Sequence, residues 1–554
     1  MRIALAPGPG SAGLLRRLRD DGTPDGPAEQ VGDLTAAVAA AEAVGQVRWV
    51  WRAGRLCYPQ LLRSGVRVRR CHDTELVGSL LRARDATPEA PGAASGQGAP
   101  AVAGAGQAQL EFDSRAADPA GELAAVVELH ARQLASIQAD AQPARLALLA
   151  AAESAGGLAA AEMSAAGLPW RADIHDRLLT GLLGERPPMI SGPPLRPARL
   201  SELTAQISAA LGVARPVNPD SPVQLRQALA AGGVRVSSTR SAVLRQVDHP
   251  VIPLLLEYKE LARLYAANGW SWLDAWVSGG RFRPEYVVGG VVSGRWASRG
   301  GGALQIPKVL RQAVVADPGW VLVVADAAQL EPRVLAALAG DRSFARAAAE
   351  GDVYAAVASA IGGDRATAKV ALLSAMYGGS GGDSRQSLAL FRRRFPDAAA
   401  YVEHAARAGQ EGRVVRSVLG RTCPPPSAAW RELTSDSADP DQERDPGAGA
   451  AARARGRFTR NFVVQASAAD WALVMLAALR SLLTAAPRSV PVPLPELVFF
   501  LHDEVIVHCP TSQQDRVVAA VQAAAAEATR LVFGATEVSF PMTTAVVGCY
   551  ADAK

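Results

Sequence analysis

The segment LVFFLHDEVIVHCP, residues 497–510, limits the fold more than any other part of this chain. Apolar β-formers lie on both sides of Asp503 and Glu504, so it reads as strand, tight turn, strand, with the acids at or beside the turn. Carboxylates in apolar surroundings are rarely buried without a partner. Such a hairpin needs a neighbouring strand and a source of countercharge. WVLVVADAAQLEPRVLAALAGD, residues 320–341, offers the neighbour: Asp326 ends an apolar strand and a helical pattern follows. Two strands side by side would bring Asp326 and Asp503 together. Like charges at that distance repel unless a cation neutralises them, and hard oxygen donors suit magnesium. Solvated acids at unrelated strand ends are the competing reading.

A chain of 554 residues exceeds one hydrophobic core and is expected to form several domains. With 49% apolar residues it has the composition of soluble globular protein. The 58 basic residues against 53 acidic ones give a net charge of +5, compatible with a polyanionic partner but weak evidence for one. Cys57, Cys71, Cys423, Cys509 and Cys549 are scattered and lack metal-ligand spacing, which reads as free thiols in a reducing cytoplasm. The N-terminal sequence lacks the order of a signal peptide, and no apolar run is expected to span a membrane. A soluble, cytoplasmic protein without a membrane partner is the expectation.

Residues 86–109 are Ala, Gly and Pro with almost no bulky side chain, and residues 435–456 are similarly biased; both read as flexible insertions. Alanine-rich helical patterns dominate residues 120–265, and strand-like segments lie at 286–292, 320–326, 497–508 and 538–548.

Between the two acidic strands, Arg365, Lys369, Leu373 and Tyr377 recur every four residues. Each step drifts about 40° around a helix, so they form one slanted stripe that Gly378 and Gly379 end. Two cations and an aromatic on one face suit a triphosphate beneath a stacked base. A solvated basic face is the alternative.

Taken in order, these segments resemble the polymerase domain of family A DNA polymerases. The family's D-Y-S-Q-I-E-L-R is matched by DAAQLEPR, Asp326 to Arg333, and its R-x-x-x-K-x-x-x-[FY]-x-x-x-Y-G by Arg365, Lys369, Tyr377 and Gly378. Its V-H-D-E is matched by LHDE, Leu501 to Glu504. SGRWAS, residues 293–298, and RFTRNFVVQASAAD, residues 457–470, resemble two further motifs and carry Arg295, Arg457, Asn461 and Gln465. The segments VNPDSPVQLRQAL and LLEYKELARLYA resemble the family's thumb. The resemblance covers roughly residues 145–554.

The resemblance implies an α+β right hand, with an antiparallel palm sheet and helical fingers and thumb, preceded by an α/β ribonuclease H-like domain of the 3′–5′ exonuclease type. The segments expected are that domain over 1–140, connecting helices and thumb over 141–270, palm over 271–344 and 457–554, and fingers over 345–456. It further implies attack of a primer 3′-hydroxyl on a deoxynucleoside triphosphate, with primer–template DNA as partner, in DNA repair or replication. Two Mg2+ ions, replaceable by Mn2+, would be held by Asp326, Asp503 and the backbone carbonyl of Ala327, with Glu504 a supporting acid. Arg365 and Lys369 would hold the triphosphate, Lys369 also donating a proton. Gln329, Glu331, Leu373 and Tyr377 would surround the nucleotide, with Glu331 crowding a ribose 2′-hydroxyl. Arg295, Arg457, Asn461, Gln465, His502 and Lys259 would contact DNA.

Departures from the family pattern are Ala327 and Ala328 for Tyr-Ser, Leu373 for Phe or Tyr, Tyr354 for a histidine and Phe500 for a glutamine. RCHDTELVGSLLRARD, residues 70–85, resembles part of an exonuclease domain. The early strand nevertheless has no D-x-E, and the final motif reduces to Asp118 and Glu122, so exonuclease activity is expected to be absent and Asp73 a structural remnant. A non-catalytic DNA-binding protein and a mainly nucleolytic enzyme remain open alternatives on these residues.

Overall fold

The computed structural model describes residues 1–85, 118–188, 195–213, 216–299, 305–349, 351–378, 382–435, 446–484 and 493–553. The insertion expected at 86–109 lies outside them, as do 436–445 of the second. Residues 446–456, also expected to be flexible, instead open a long helix, Pro446–Thr484. Alanine and arginine are strong helix formers, and here they outweigh the glycines that suggested a linker.

Contacts divide the chain into two units. The first contains Met1–Ala166, Glu285–Ala297 and Val323–Val546; the second contains Gly167–Pro284, Ser298–Leu322 and Val547–Lys554. The chain passes back and forth between the two units more than once.

The first unit begins with β1 (Arg2–Pro7), β2 (Gly13–Leu18), β3 (Glu29–Val31), α1 (Leu34–Val44), β4 (Arg48–Trp51), α2 (Gly54–Arg63), β5 (Arg70–Asp73) and α3 (Thr74–Asp85). Helices α4 (Pro119–Gln138) and α5 (Pro143–Ala166) follow. The sheet order is β3-β2-β1-β4-β5, antiparallel from β3 to β1 and parallel from β1 to β5. Two apolar clusters cover its faces, one around Trp49, Trp51 and Tyr58 and one around Val50, Leu123 and Val126.

Further along this unit come β6 (Trp320–Ala327), α6 (Leu330–Ala339), α7 (Val353–Ile361), α8 (Arg365–Tyr377), α9 (Pro446–Thr484), β7 (Glu496–Leu501), β8 (Glu504–Pro510), α10 (Gln514–Phe533) and β9 (Met542–Val547). They form the sheet β7-β8-β6-β9, with β7 and β8 an antiparallel hairpin. The strand expected over 286–292 shrinks to Glu285–Val287, because a turn through Gly289, with φ of 60°, interrupts it.

Helices α5 and α9 are long and apolar enough to cross a membrane, contrary to the expectation that no run would be. Their apolar windows are 67% and 83% buried within the protein, which is how a core helix meets the same test. Two buried arginines fasten them. Arg421 donates to Glu153 on α5 and, at 3.2 Å, to Asp470 on α9. Arg480 on α9 donates to both oxygens of Glu162 on α5, at 2.9 and 2.7 Å.

The second unit packs the helices Ala172–Leu183, Ala198–Ala210, Pro222–Ala231 and Val251–Asn268 with a small three-stranded sheet. Ser221 caps Pro222–Ala231, accepting from the Gln224 amide at 3.4 Å, with Pro222 at the first helical position where its missing N–H costs nothing. Trp170, His175, Trp272 and Phe282 form its aromatic core, with ring centroids 4.8–5.6 Å apart along the contacting pairs.

Candidate active site

The hairpin β7–β8 turns through only His502 and Asp503, since Leu501 is already paired with Glu504. The Asp503 amide donates to the Leu501 carbonyl at 2.6 Å, closing a three-residue turn around His502, whose φ is 54°. Beside this turn ends β6. The Ala327 amide donates to the Asp503 carbonyl at 2.9 Å, so the residue after Asp326 is bonded directly to Asp503. The two acids that the sequence reading paired are therefore neighbours, both half-buried.

Two non-glycine residues have positive φ among the described residues, and both belong here: His502, and Gln329 at 55°. A bulky residue in that region costs roughly 1–3 kcal/mol and persists only where the surroundings enforce it. Strain therefore flanks both aspartates.

Arg333, fully buried, holds the turn at Gln329 in place. It donates to the carbonyls of Ala328 at 2.9 Å, Ala348 at 2.6 Å, Ser539 at 2.9 Å and Gly351. One guanidinium thus ties the turn after Asp326 to two other stretches of chain, around Ala348–Gly351 and at Ser539. In the sequence Arg333 stands only as the last residue of the DAAQLEPR motif. Its partners are backbone carbonyls and the Ser539 hydroxyl, at 3.1 Å and 206 positions away, so local sequence carries no signal of them.

Gln329 is occupied on both ends. Its amide nitrogen donates to Asp352 at 2.8 Å, and its oxygen accepts from the Val353 amide at 2.8 Å. Its side chain therefore fastens the start of α7.

Glu331, on the first turn of α6, links two of the expected contacts. Arg295 donates to one carboxylate oxygen and the Tyr377 hydroxyl to the other. Burial, then the Glu331 charge, push the Tyr377 hydroxyl well above its ordinary range, so it stays a donor. Arg295, Glu331 and Tyr377 form one connected group, which the Gln465 side chain on α9 approaches at the Tyr377 hydroxyl.

Helix α8 carries the stripe as expected. Arg365 and Lys369 are exposed, and Leu373 and Tyr377 half-buried. Asp364 caps its start by accepting from the Thr367 amide at 2.7 Å, and Gly378, at φ 79°, ends it in the left-handed conformation that favours glycine. On α9, Arg457, Asn461 and Gln465 recur every four residues and line one face, while neighbouring Arg460 donates to the Ala375 carbonyl of α8 at 3.2 Å.

Among the departures, Phe500 and Trp296 answer one another. Their rings meet edge to face at 4.9 Å, and Trp296 also meets Tyr286 at 5.6 Å. Phe500 thus joins an aromatic group with Trp296 and Tyr286 at the position where the family has a glutamine. Glu504 is buried on β8, directly after the turn. Burial, then the Arg295 charge, lower the His502 pKa, keeping that imidazole neutral.

No group of three or more His, Cys, Asp or Glu able to hold a metal is present among the described residues. Two carboxylates and a backbone carbonyl still fit magnesium, which takes one or two protein carboxylates and completes its shell with water and substrate phosphates. Lys259 lies in the second unit, on helix Val251–Asn268, one turn before Arg263, which donates to Gln305 at 3.2 Å.

The sequence profile of DNA polymerase family A matches residues 196–546. The chain belongs to DNA polymerase family A. Similar family members include DNA polymerase I of Chloroflexus aurantiacus, 27% identical over 318 residues that cover 51% of this chain and 31% of that protein. The thermostable DNA polymerase I of Thermus thermophilus is 28% identical over 316 residues, covering 51% and 35%. The chain thus matches about a third of the length of these relatives. Among solved structures, the POL domain of Pol1 from M. smegmatis, in complex with DNA primer-template and dNTP, matches with a TM-score of 0.70 and 18% identity. The match covers 100% of this chain and 96% of that one. The family A fold, the expected right hand, is therefore present.

Proposed function

We propose that the protein is a DNA-directed DNA polymerase that extends a primer 3′-hydroxyl with deoxynucleotides in DNA repair or replication. The observation that carries this is the bonding of Ala327 to Asp503, which sets Asp326 and Asp503 side by side within the motifs of a family A member. The palm, fingers and thumb would follow the segments expected from the sequence.

Asp326, Asp503 and the Ala327 carbonyl would hold two divalent ions, Mg2+ or Mn2+. Bound there, these ions would lower the pKa of the attacking hydroxyl and offset charge on the phosphoryl oxygens. Glu504 supports the pair from within the sheet. Arg365 and Lys369, exposed on α8, hold the triphosphate, and Lys369 gives a proton to the leaving pyrophosphate. Leu373 and Tyr377 face the sugar and base, and Gln329 orders the loop beside them. Glu331, fixed between Arg295 and Tyr377, crowds a ribose 2′-hydroxyl and favours deoxyribonucleotides. Arg295 and Gln465 donate to minor-groove acceptors that every correct pair presents alike. Arg457, Asn461, His502 and Lys259 contact template and primer. The protein would act as a cytoplasmic, nucleoid-associated monomer.

The N-terminal sheet is proposed to be a 3′–5′ exonuclease-like domain that has lost its chemistry. Asp73 is only 3% exposed and spends its oxygens on backbone. One accepts from the Gly54 amide at 2.7 Å, the other from Glu75 and Leu76 at 3.1 and 3.0 Å. Asp118 caps α4, accepting from the Ala120 amide at 3.1 Å.

Primer extension on a defined primer–template with magnesium tests the reading. Incorporation directed by the template is expected, with no shortening of a 3′-labelled oligonucleotide when nucleotides are omitted. DNA binding without incorporation would instead make this a binding protein.

A further inference from the structure

Asp352 lies outside the motifs that identify the site, yet its carboxylate joins three parts of it. One oxygen accepts from the amides of Tyr354 and Ala355, at 2.9 and 3.1 Å, which caps α7. The same oxygen accepts from Gln329 at 2.8 Å. The other accepts from Nε of Arg365 at 2.8 Å. Tyr354 completes the arrangement, its ring centroid 5.4 Å from the guanidinium carbon of Arg365.

Arg365 is held through Nε alone. Its terminal nitrogens, Nη1 and Nη2, have no hydrogen-bond partner among the described residues, and its side chain is 57% exposed. The end of the fork suited to two phosphate oxygens is therefore left open. An unrestrained arginine surrenders rotamer freedom when it clamps an anion, and one already fixed surrenders less.

We propose that Asp352 is a positioning residue for nucleotide binding: it fixes Arg365 through Nε, so that Nη1 and Nη2 meet a triphosphate as a preformed fork. Through Gln329 it also ties that fork to the turn after Asp326. The proposal rests on the assignment of Arg365 to the nucleotide phosphates. A carboxylate near a triphosphate also repels it, but this one is neutralised by Arg365 and by three further donors. Geometry outweighs repulsion here, and that fixes the sign of the test.

Asp352→Asn is the informative variant, because asparagine caps a helix as well as aspartate and keeps an oxygen for the amides of Tyr354 and Ala355. Its NH2 would face the Nε–H of Arg365 and release the arginine. In single-nucleotide extension, KM for the dNTP is expected to rise about tenfold with kcat changed less than about threefold. In the Arg365→Ala background the same substitution should change KM by less than about twofold, because its route of action is gone. A KM that stays level or falls in Asp352→Asn, or effects that multiply in the double variant, overturns the proposal. Binding of a dNTP to a complex with a dideoxy-terminated primer reads the same comparison without chemistry. A wild type that binds the nucleotide with this dependence on Asp352, yet never extends, would overturn the polymerase reading alone.

Discussion

Ala327 donates its amide to the carbonyl of Asp503 at 2.9 Å, and this backbone bond sets the spacing of Asp326 and Asp503 whatever charge their side chains carry. Asparagine at either position should therefore leave the turn intact while removing half of the anionic donor set. Asp326→Asn and Asp503→Asn are each expected to lower the rate of primer extension by at least ~100-fold, the scale of losing one preorganised electrostatic contact. DNA affinity, followed by fluorescence anisotropy, should change less than about threefold, because phosphate contacts by cations supply most of it. Extension within tenfold of wild type in either variant would contradict the metal-holding role.

Glu331 accepts from Arg295 and Tyr377 at once, so its side chain has little freedom to swing away from where the proposed nucleotide sugar would sit. Glu331→Ala should raise ribonucleotide incorporation relative to deoxyribonucleotide by about 10–200-fold, the range for relieving one close contact in a pocket. Competition between rCTP and dCTP opposite a single guanine measures it. An unchanged ratio would mean that another residue chooses the sugar.

The hairpin, the strand ending at Asp326 and the stripe on α8 were legible because short-range periodicity specifies them: β-formers run on both sides of a tight turn, and four residues recur at helical spacing. The pairing of Asp326 with Asp503 was legible for a different reason, since buried acids at strand ends need a common countercharge. Arg333 and Arg480 were not legible. Their partners are carbonyls or residues more than a hundred positions away, and nothing in local sequence marks an arginine that will be buried. Residues 446–456 were misread because glycine and alanine composition resembles a linker until tertiary packing supports a helix.

The N-terminal sheet carries a pair of buried histidines whose rings meet edge to face at 4.3 Å. Burial lowers the pKa of His72 to about 4, and burial with the neighbouring His72 lowers that of His130 to about 3. An unfolded histidine titrates near 6.5, so between about pH 6.5 and pH 3 the unfolded chain binds protons that the folded one refuses. Stability from this pair is fully present above pH 6.5 and falls as the solution is acidified. Urea midpoints measured from pH 7.5 to pH 4.5 should decline, and His130→Phe, which removes a titrating group from an apolar position, should flatten the decline. An equal slope in that variant would assign the acid sensitivity elsewhere.

Arg480 supports the sharpest stability prediction. It is 5% exposed and Glu162 9%, with Tyr58 from α2 donating its hydroxyl to Glu162 and the Arg69 carbonyl accepting from Arg480 at 3.0 Å. One ion pair thus joins α9 to α5, and the Tyr58 hydroxyl and the Arg69 carbonyl tie it to the elements around the N-terminal sheet. Arg480→Met would strand a carboxylate in a desolvated position, and such a loss costs roughly 3–5 kcal/mol. Replacing both partners, as Arg480→Met with Glu162→Leu, leaves no buried charge and should cost less than the single change, because the desolvation of both ions is also removed. Denaturant titrations of the wild type, Arg480→Met, Glu162→Leu and the double variant distinguish this from simple additivity. A double variant less stable than Arg480→Met alone would mean that Glu162 stabilises the fold without its arginine, through the Tyr58 hydroxyl, and would refute the account of a stranded charge.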